Sequence, residues 1–149
     1  MRITRKCDEY FGMTWFAVDK RGRVIECTSG SYGYLPEFVC ASKENARKLE
    51  DFFENTLEDT TIAKVVAKCK VFGPLKLSDY SLAKKGLYSF DANDGSRETT
   101  YYVKDVIPLN PLLITQLPKD IADILSNNLL DIDVEEVTTI TVEDACRDE

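Results

Sequence analysis

The sequence contains no histidine. That removes the commonest general base and the commonest metal ligand. It also rules out Ser-His-Asp and Cys-His catalysis within this chain. No C-x-x-C pair occurs among the five cysteines, Cys7, Cys27, Cys40, Cys69 and Cys146, so a zinc ribbon or a thioredoxin-type motif is not expected. An odd, scattered set of this kind is no disulfide framework and is read as buried or half-buried thiols in a reducing compartment. Long apolar runs are missing too, and nothing approaches the roughly 20 residues that span a bilayer. The start, Met1 to Lys6, is basic, but no apolar stretch follows it, so no secretory signal is expected and the cytoplasm is the default location.

Phosphate-binding fingerprints are likewise absent. There is no G-x-x-x-x-G-K-[ST], and Gly30-Ser31-Tyr32-Gly33 is a glycine pair and not G-x-G-x-x-G. Asp91-Ala92-Asn93-Asp94-Gly95 is one residue short of a calcium loop and lacks its closing Glu, so a hairpin turn explains it better. Asp131 and Asp133, or Glu135 and Glu136, can be drawn as acid and base, but adjacency in sequence does not make a cleft. No enzyme, cofactor or metal is expected.

What the chain does have is enough apolar and aromatic character for one packed domain. Its 149 residues include seven Tyr, seven Phe and one Trp. The net charge is −7, which disfavours nucleic acid and anionic membranes as direct partners and favours a basic protein.

Met13 to Asp19 and Val24 to Ser29 read as a β-hairpin turning at Gly22. Gly30 to Pro36 is a loop. Ser42 is suited to N-cap a helix in which Ala46, Leu49, Phe52, Phe53 and Leu57 recur at helical spacing. Ile62 to Cys69 keeps a similar period and reads as a second helix, although its β-branched residues would also suit a strand. A short helix over Ser78 to Lys85 should end at Gly86. Leu87 to Asp91 and Thr99 to Val106 form a second hairpin around Asn93-Asp94-Gly95. Pro108, Pro111 and Pro118 mark a loop or a sheet edge. A helix over Lys119 to Leu129 and a strand over Val137 to Val142 follow. The expected fold is one α+β domain over residues 1–142, a single antiparallel sheet of about four or five strands with helices packed on one face. Residues 143–149 are expected to form a mobile acidic tail.

Two features suit binding. Glu50, Glu54 and Glu58 fall at i, i+4, i+8 and with Asp51 form an acidic stripe on the helix that begins after Ser42. Like charges at that spacing destabilise an isolated helix, a cost a basic partner would relieve. Tyr32 and Tyr34, among glycines and before Pro36, are candidate anchors, since tyrosine combines contact area with a polar tip. The alternatives are a solvated helix face, and rings folded back over the sheet edge. Tyr101 and Tyr102 are adjacent on a strand, so one must face in and the other out.

Two stretches carry a resemblance. The first is Trp15-Phe16-Ala17-Val18-Asp19 with Gly22, Val24, Ser29-Gly30, Gly33 and Pro36. The second is Lys85-Gly86-Leu87-Tyr88-Ser89-Phe90-Asp91 with Tyr102, Pro108, Pro111-Leu112 and Leu117-Pro118. Together they resemble small uncharacterised bacterial proteins of about this length, some of them similar to immunity proteins encoded beside polymorphic or contact-dependent toxins. The resemblance implies a cytoplasmic protein that binds and neutralises one cognate toxin, with no catalytic or binding residues to carry over. A basic nuclease would suit the acidic charge. The rival expectations are a small-ligand or enzymatic domain using the Gly30–Pro36 loop, with a pocket lined by Tyr32, Trp15 and the strands, and a structural adaptor subunit.

Overall fold

The computed structural model describes residues 1–4, 12–30, 33–66, 82–92 and 101–145. β1 (Thr14–Val18) and β2 (Val24–Thr28) form the expected hairpin, in register from Thr14 opposite Thr28 to Val18 opposite Val24. Its turn closes because Gly22 adopts φ 83°. The Asp19 carboxylate also accepts the backbone N–H groups of Arg21 and Arg23, at 3.0 and 2.9 Å.

α1 (Glu37–Cys40) is a single turn. α2 (Lys43–Asp51) starts where Ser42 accepts the Asn45 N–H at 3.2 Å. The helix does not continue to Leu57 in α form. It widens into a π turn over Phe52–Thr56, and Leu57 is extended with ψ 135°. Ile62 to Val66 is not helical: β3 (Ala63–Val65) is a strand, so the β-branched residues there outweigh the helical period. Residues 82–85 make a 3-10 turn that Gly86 ends at φ 102°. There Leu112 presses so close that a Cβ on Gly86 would come within 2.8 Å of it.

β4 (Tyr88–Asp91) and β5 (Tyr101–Pro108) pair antiparallel as expected; the Asn93-Asp94-Gly95 turn lies outside the described residues. α3 (Lys119–Leu125) is shorter than the expected 119–129, because Asn127 and Asn128 turn the chain and Leu129 bridges to Val18 of β1. β6 (Thr139–Thr141) falls within the expected last strand.

The sheet runs β1-β2-β4-β5-β3, with β6 also on β5. The α+β class matches expectation, and with β6 the sheet holds six strands where about four or five were expected. One pairing corrects it: β2 and β4 are parallel, so the sheet is mixed. A parallel pair needs a long crossover, supplied here by the chain from α1 through β3. β3 and β6 share the edge of β5 that β4 leaves free, β6 at Tyr101–Val103 and β3 at Val106–Pro108.

Both sheet faces are buried. Phe16, Val18 and Val24 pack with Leu49, Phe53, Ile121 and Leu125, so α2 and α3 share one face, as expected. Trp15, Ala17, Ile25, Phe90 and Tyr102 form the other core, and there α1 departs from expectation by placing Val39 and Cys40 in it. Tyr102 is buried and Tyr101 exposed, the split the strand period requires.

Two further expectations change. Cys40 is disulfide-bonded, whereas Cys27 is a free, buried thiol. The segment after residue 142 stays attached through Ala145, whose N–H donates to the Leu35 carbonyl at 2.9 Å, while Asp144 is buried. Residues 146–149 lie outside the described residues.

Candidate functional site

The acidic residues sort into two kinds. Several carboxylates of the described surface have a cation, whereas Asp131, Glu136 and Glu143 are exposed and form no ion pair among the described residues. Glu37 meets Arg2 at 2.6 Å, Glu44 the N-terminal ammonium at 2.8 Å, Asp120 Lys48 at 3.1 Å, and Asp123 Lys119 at 2.8 Å. Asp133 and Glu135 close around the buried Arg23, which also holds Asp19 at 3.0 Å. The Val134 N–H adds a bond to Asp19 at 2.9 Å. Burial opposes the charge of Asp133, but the Glu135 N–H and Arg23 overcome it and lower its pKa. These acids, two of which were drawn from sequence as catalytic candidates, are joints between the first hairpin and the 133–135 turn.

Glu50, Asp51, Glu54, Glu58 and Asp59 behave differently. Among the described residues none of them forms an ion pair. Asp51, Glu54, Glu58 and Asp59 are exposed and Glu50 is half-buried. Partial burial and the neighbouring Glu54 raise the Glu50 pKa. The buried ammonium group of Lys85 is turned inward and donates to the backbone carbonyls of Phe53 and Glu54, at 2.7 and 3.0 Å. It stabilises the π turn and makes no ion pair with the ridge, where the charge of Arg47 only partly offsets the rise at Glu50. The π turn also breaks the expected stripe. Glu50 and Glu54 keep helical proximity, but Glu58 follows the extended Leu57 and leads toward β3.

Behind the ridge lie acids the sequence reading missed. Glu26 on β2 is buried and accepts a hydrogen bond from Ser89 of β4. Burial pushes its pKa up to about 7, with Glu54 and Asp91 adding to the rise against the Ser89 bond. Asp105 is the extra residue of a bulge, since Ser89 pairs with Val106 while Phe90 pairs with Lys104. It is 4% exposed and its Oδ1 has no hydrogen-bond partner. Burial, then Asp91 and Glu26, push its pKa up to about 8. No three acid or thiol groups among the described residues are placed to hold a metal ion. The only sequence signal for this cluster was polar residues at inward positions of otherwise apolar strands.

The aromatic candidates divide. Tyr32 lies outside the described residues. Tyr34 is half-buried against the core and its carbonyl accepts the Tyr102 hydroxyl at 2.6 Å, so the loop folds back over the sheet. Gly33 is required there, because a Cβ would sit 2.3 Å from the Ser29 carbonyl. A cleft of about 260 Å³ lies beside β1, lined by Trp15, Phe38, Ser42, Asn45 and Asn128 among others. Trp15 contributes as the ligand-pocket expectation required, but no described residue of the Gly30–Pro36 loop does.

No family model, curated protein or solved structure matches this chain. Among the described residues no helix is long and apolar enough to cross a membrane.

Proposed function

We propose that this chain is an immunity-type binding protein that neutralises a basic protein toxin by covering its active surface. The observation that supports the reading is the ridge of Glu50, Asp51, Glu54, Glu58 and Asp59, five acids within ten residues of chain that form no ion pair among the described residues. Self-repulsion along such a ridge is relieved when a basic surface docks, and the net charge of −7 steers that approach. The binding role rests on these carboxylates and no longer on Tyr34, which is committed to the core.

The experiment is capture of the partner at low salt by the tagged chain, alongside a Glu54→Lys/Glu58→Lys double variant. The captured protein is then expressed alone and together with this chain. The expected result is one basic partner released by salt, lost with the double variant, toxic alone and harmless when co-expressed. Retention by the double variant, or a harmless partner, overturns the reading.

The proposed compartment is the cytoplasm. The Cys40 disulfide favours an oxidising location. A thiol count on protein denatured and alkylated directly from intact cells decides between them: all five cysteines reactive supports the cytoplasm, and two blocked cysteines oppose it.

A further inference from the structure

The ridge leads into an open sheet edge. The Ile62 carbonyl accepts the Leu109 N–H at 2.9 Å, and the Val66 N–H donates to the Asp105 carbonyl at 2.7 Å. In an antiparallel ladder this alternation turns Ile62, Lys64 and Val66 toward β5 and points the N–H and C=O groups of Ala63 and Val65 outward. Neither Ala63 nor Val65 makes a hydrogen bond on that side. Beside this edge the aliphatic side chains are bare: Ile62 is 70% exposed, Leu109 66% and Val66 44%. Glu58 and Asp59 stand immediately before it, exposed and unpaired.

We infer that β3 is the strand to which the basic partner adds an extended segment, with Ala63 and Val65 supplying the main-chain hydrogen bonds. The inference rests on the reading above and specifies how the partner is held. Strand addition takes affinity from the main chain and specificity from alternate side chains. The segment that fits carries apolar residues over Ile62 and Val66, an acidic or polar residue opposite Lys64, and a Lys or Arg at the end near Asp59 and Glu58.

A lysine on an edge strand discourages indiscriminate pairing, so Lys64 narrows the choice of occupant. It also argues against a second copy of this chain. The antiparallel self-pairing that engages both Ala63 and Val65 would set Lys64 opposite Lys64, and like charges directly opposed are destabilising.

Val65→Pro tests the inference, because proline at an outward position removes a donor from the edge while sparing the β3–β5 ladder. Unchanged circular dichroism and thermal midpoint report that the fold survives. Hydrogen exchange at the Ala63 and Val65 amides of the wild-type chain, free and with the captured partner, gives a readout that needs no variant. The expected result is fast exchange in the free chain, protection in the complex, and capture weakened about tenfold or more by Val65→Pro. A partner that depends on Glu54 and Glu58 but binds Val65→Pro normally and leaves both amides exchanging overturns the edge proposal and spares the ridge. Absence of any basic partner overturns both. Protection of both amides in the isolated chain, with a dimer mass by light scattering, assigns the edge to a second copy and also overturns the proposal.

Discussion

The indole N–H of Trp15 donates to the phenolic oxygen of Tyr102 at 3.1 Å, and the two rings meet edge to face with centroids 5.3 Å apart. The Tyr102 hydroxyl then donates to the Tyr34 carbonyl, so one oxygen ties β1, β5 and the loop after the first hairpin together. Tyr102→Phe keeps the packing but strands a buried indole N–H and a carbonyl. Leaving such groups unsatisfied costs about 1–3 kcal/mol. Urea denaturation should show that loss with an unchanged slope; a variant as stable as the parent would show that water replaces the hydroxyl.

Asp19 and Arg23 make a second joint. Asp19→Ala leaves the Arg23 guanidinium with Asp133 and Glu135, but removes the acceptor for three backbone N–H groups, those of Arg21, Arg23 and Val134. Breaking a buried pair from one side costs about 3–5 kcal/mol. The expected outcome is a thermal midpoint lowered by many degrees. A shift of only a degree or two would mean that the turn holds itself.

Glu26 and Asp105 predict an unusual pH profile. Burial raises the folded-state pKa of Glu26 to about 7 and of Asp105 to about 8, above the ordinary carboxylate range. The folded chain therefore keeps protons that the unfolded chain gives up from about pH 4 upward. Stability from these two groups is complete below that pH and is lost as pH rises toward 8. Asp133, Glu37 and Asp120 act oppositely, with lowered values whose contribution is lost in acid. The stability maximum should thus lie on the mildly acidic side of neutral. Asp105→Asn, which keeps the shape without the charge, should flatten the alkaline fall and raise stability at pH 8 by about 1–2 kcal/mol. Denaturation midpoints across pH 4–9 for both proteins check this; parallel curves would refute it.

Along the ridge, Glu54→Gln should bring the Glu50 pKa down toward normal, since Glu54 contributes to its rise after partial burial. Carbon-detected NMR titration of the Glu50 carboxyl reads it directly. An unmoved value would leave burial as the whole cause. The same substitution should not destabilise the fold, because Glu54 has no ion pair to lose.

The features legible in the sequence are those decided by neighbours in the chain. The Thr14–Thr28 hairpin, the Ser42 cap, the Gly86 terminus and the division of Tyr101 from Tyr102 all follow from turn chemistry and strand period. So does the acidity of Glu50, Asp51, Glu54 and Glu58, though not their arrangement: the helix widens at Phe52, beside the contact of Phe53 with Phe16, whose ring centroids are 4.6 Å apart.

What only the tertiary structure decided is long-range. Composition could not predict that β2 would pair in parallel with β4, since that contact lies across the crossover. The helical period of Ile62 to Cys69 yielded at Ala63–Val65 to pairing with β5. A polar residue in a strand does not say whether it faces water or a closed interior. Glu26 and Asp105 read as ordinary acids until the sheet and the helices over it exclude solvent. Burial raises their pKa values, just as the lack of an ion pair at Glu54 and Glu58 among the described residues is visible only in the folded chain. Charge is written in the sequence, but its cost depends on the surroundings, and those exist only after folding.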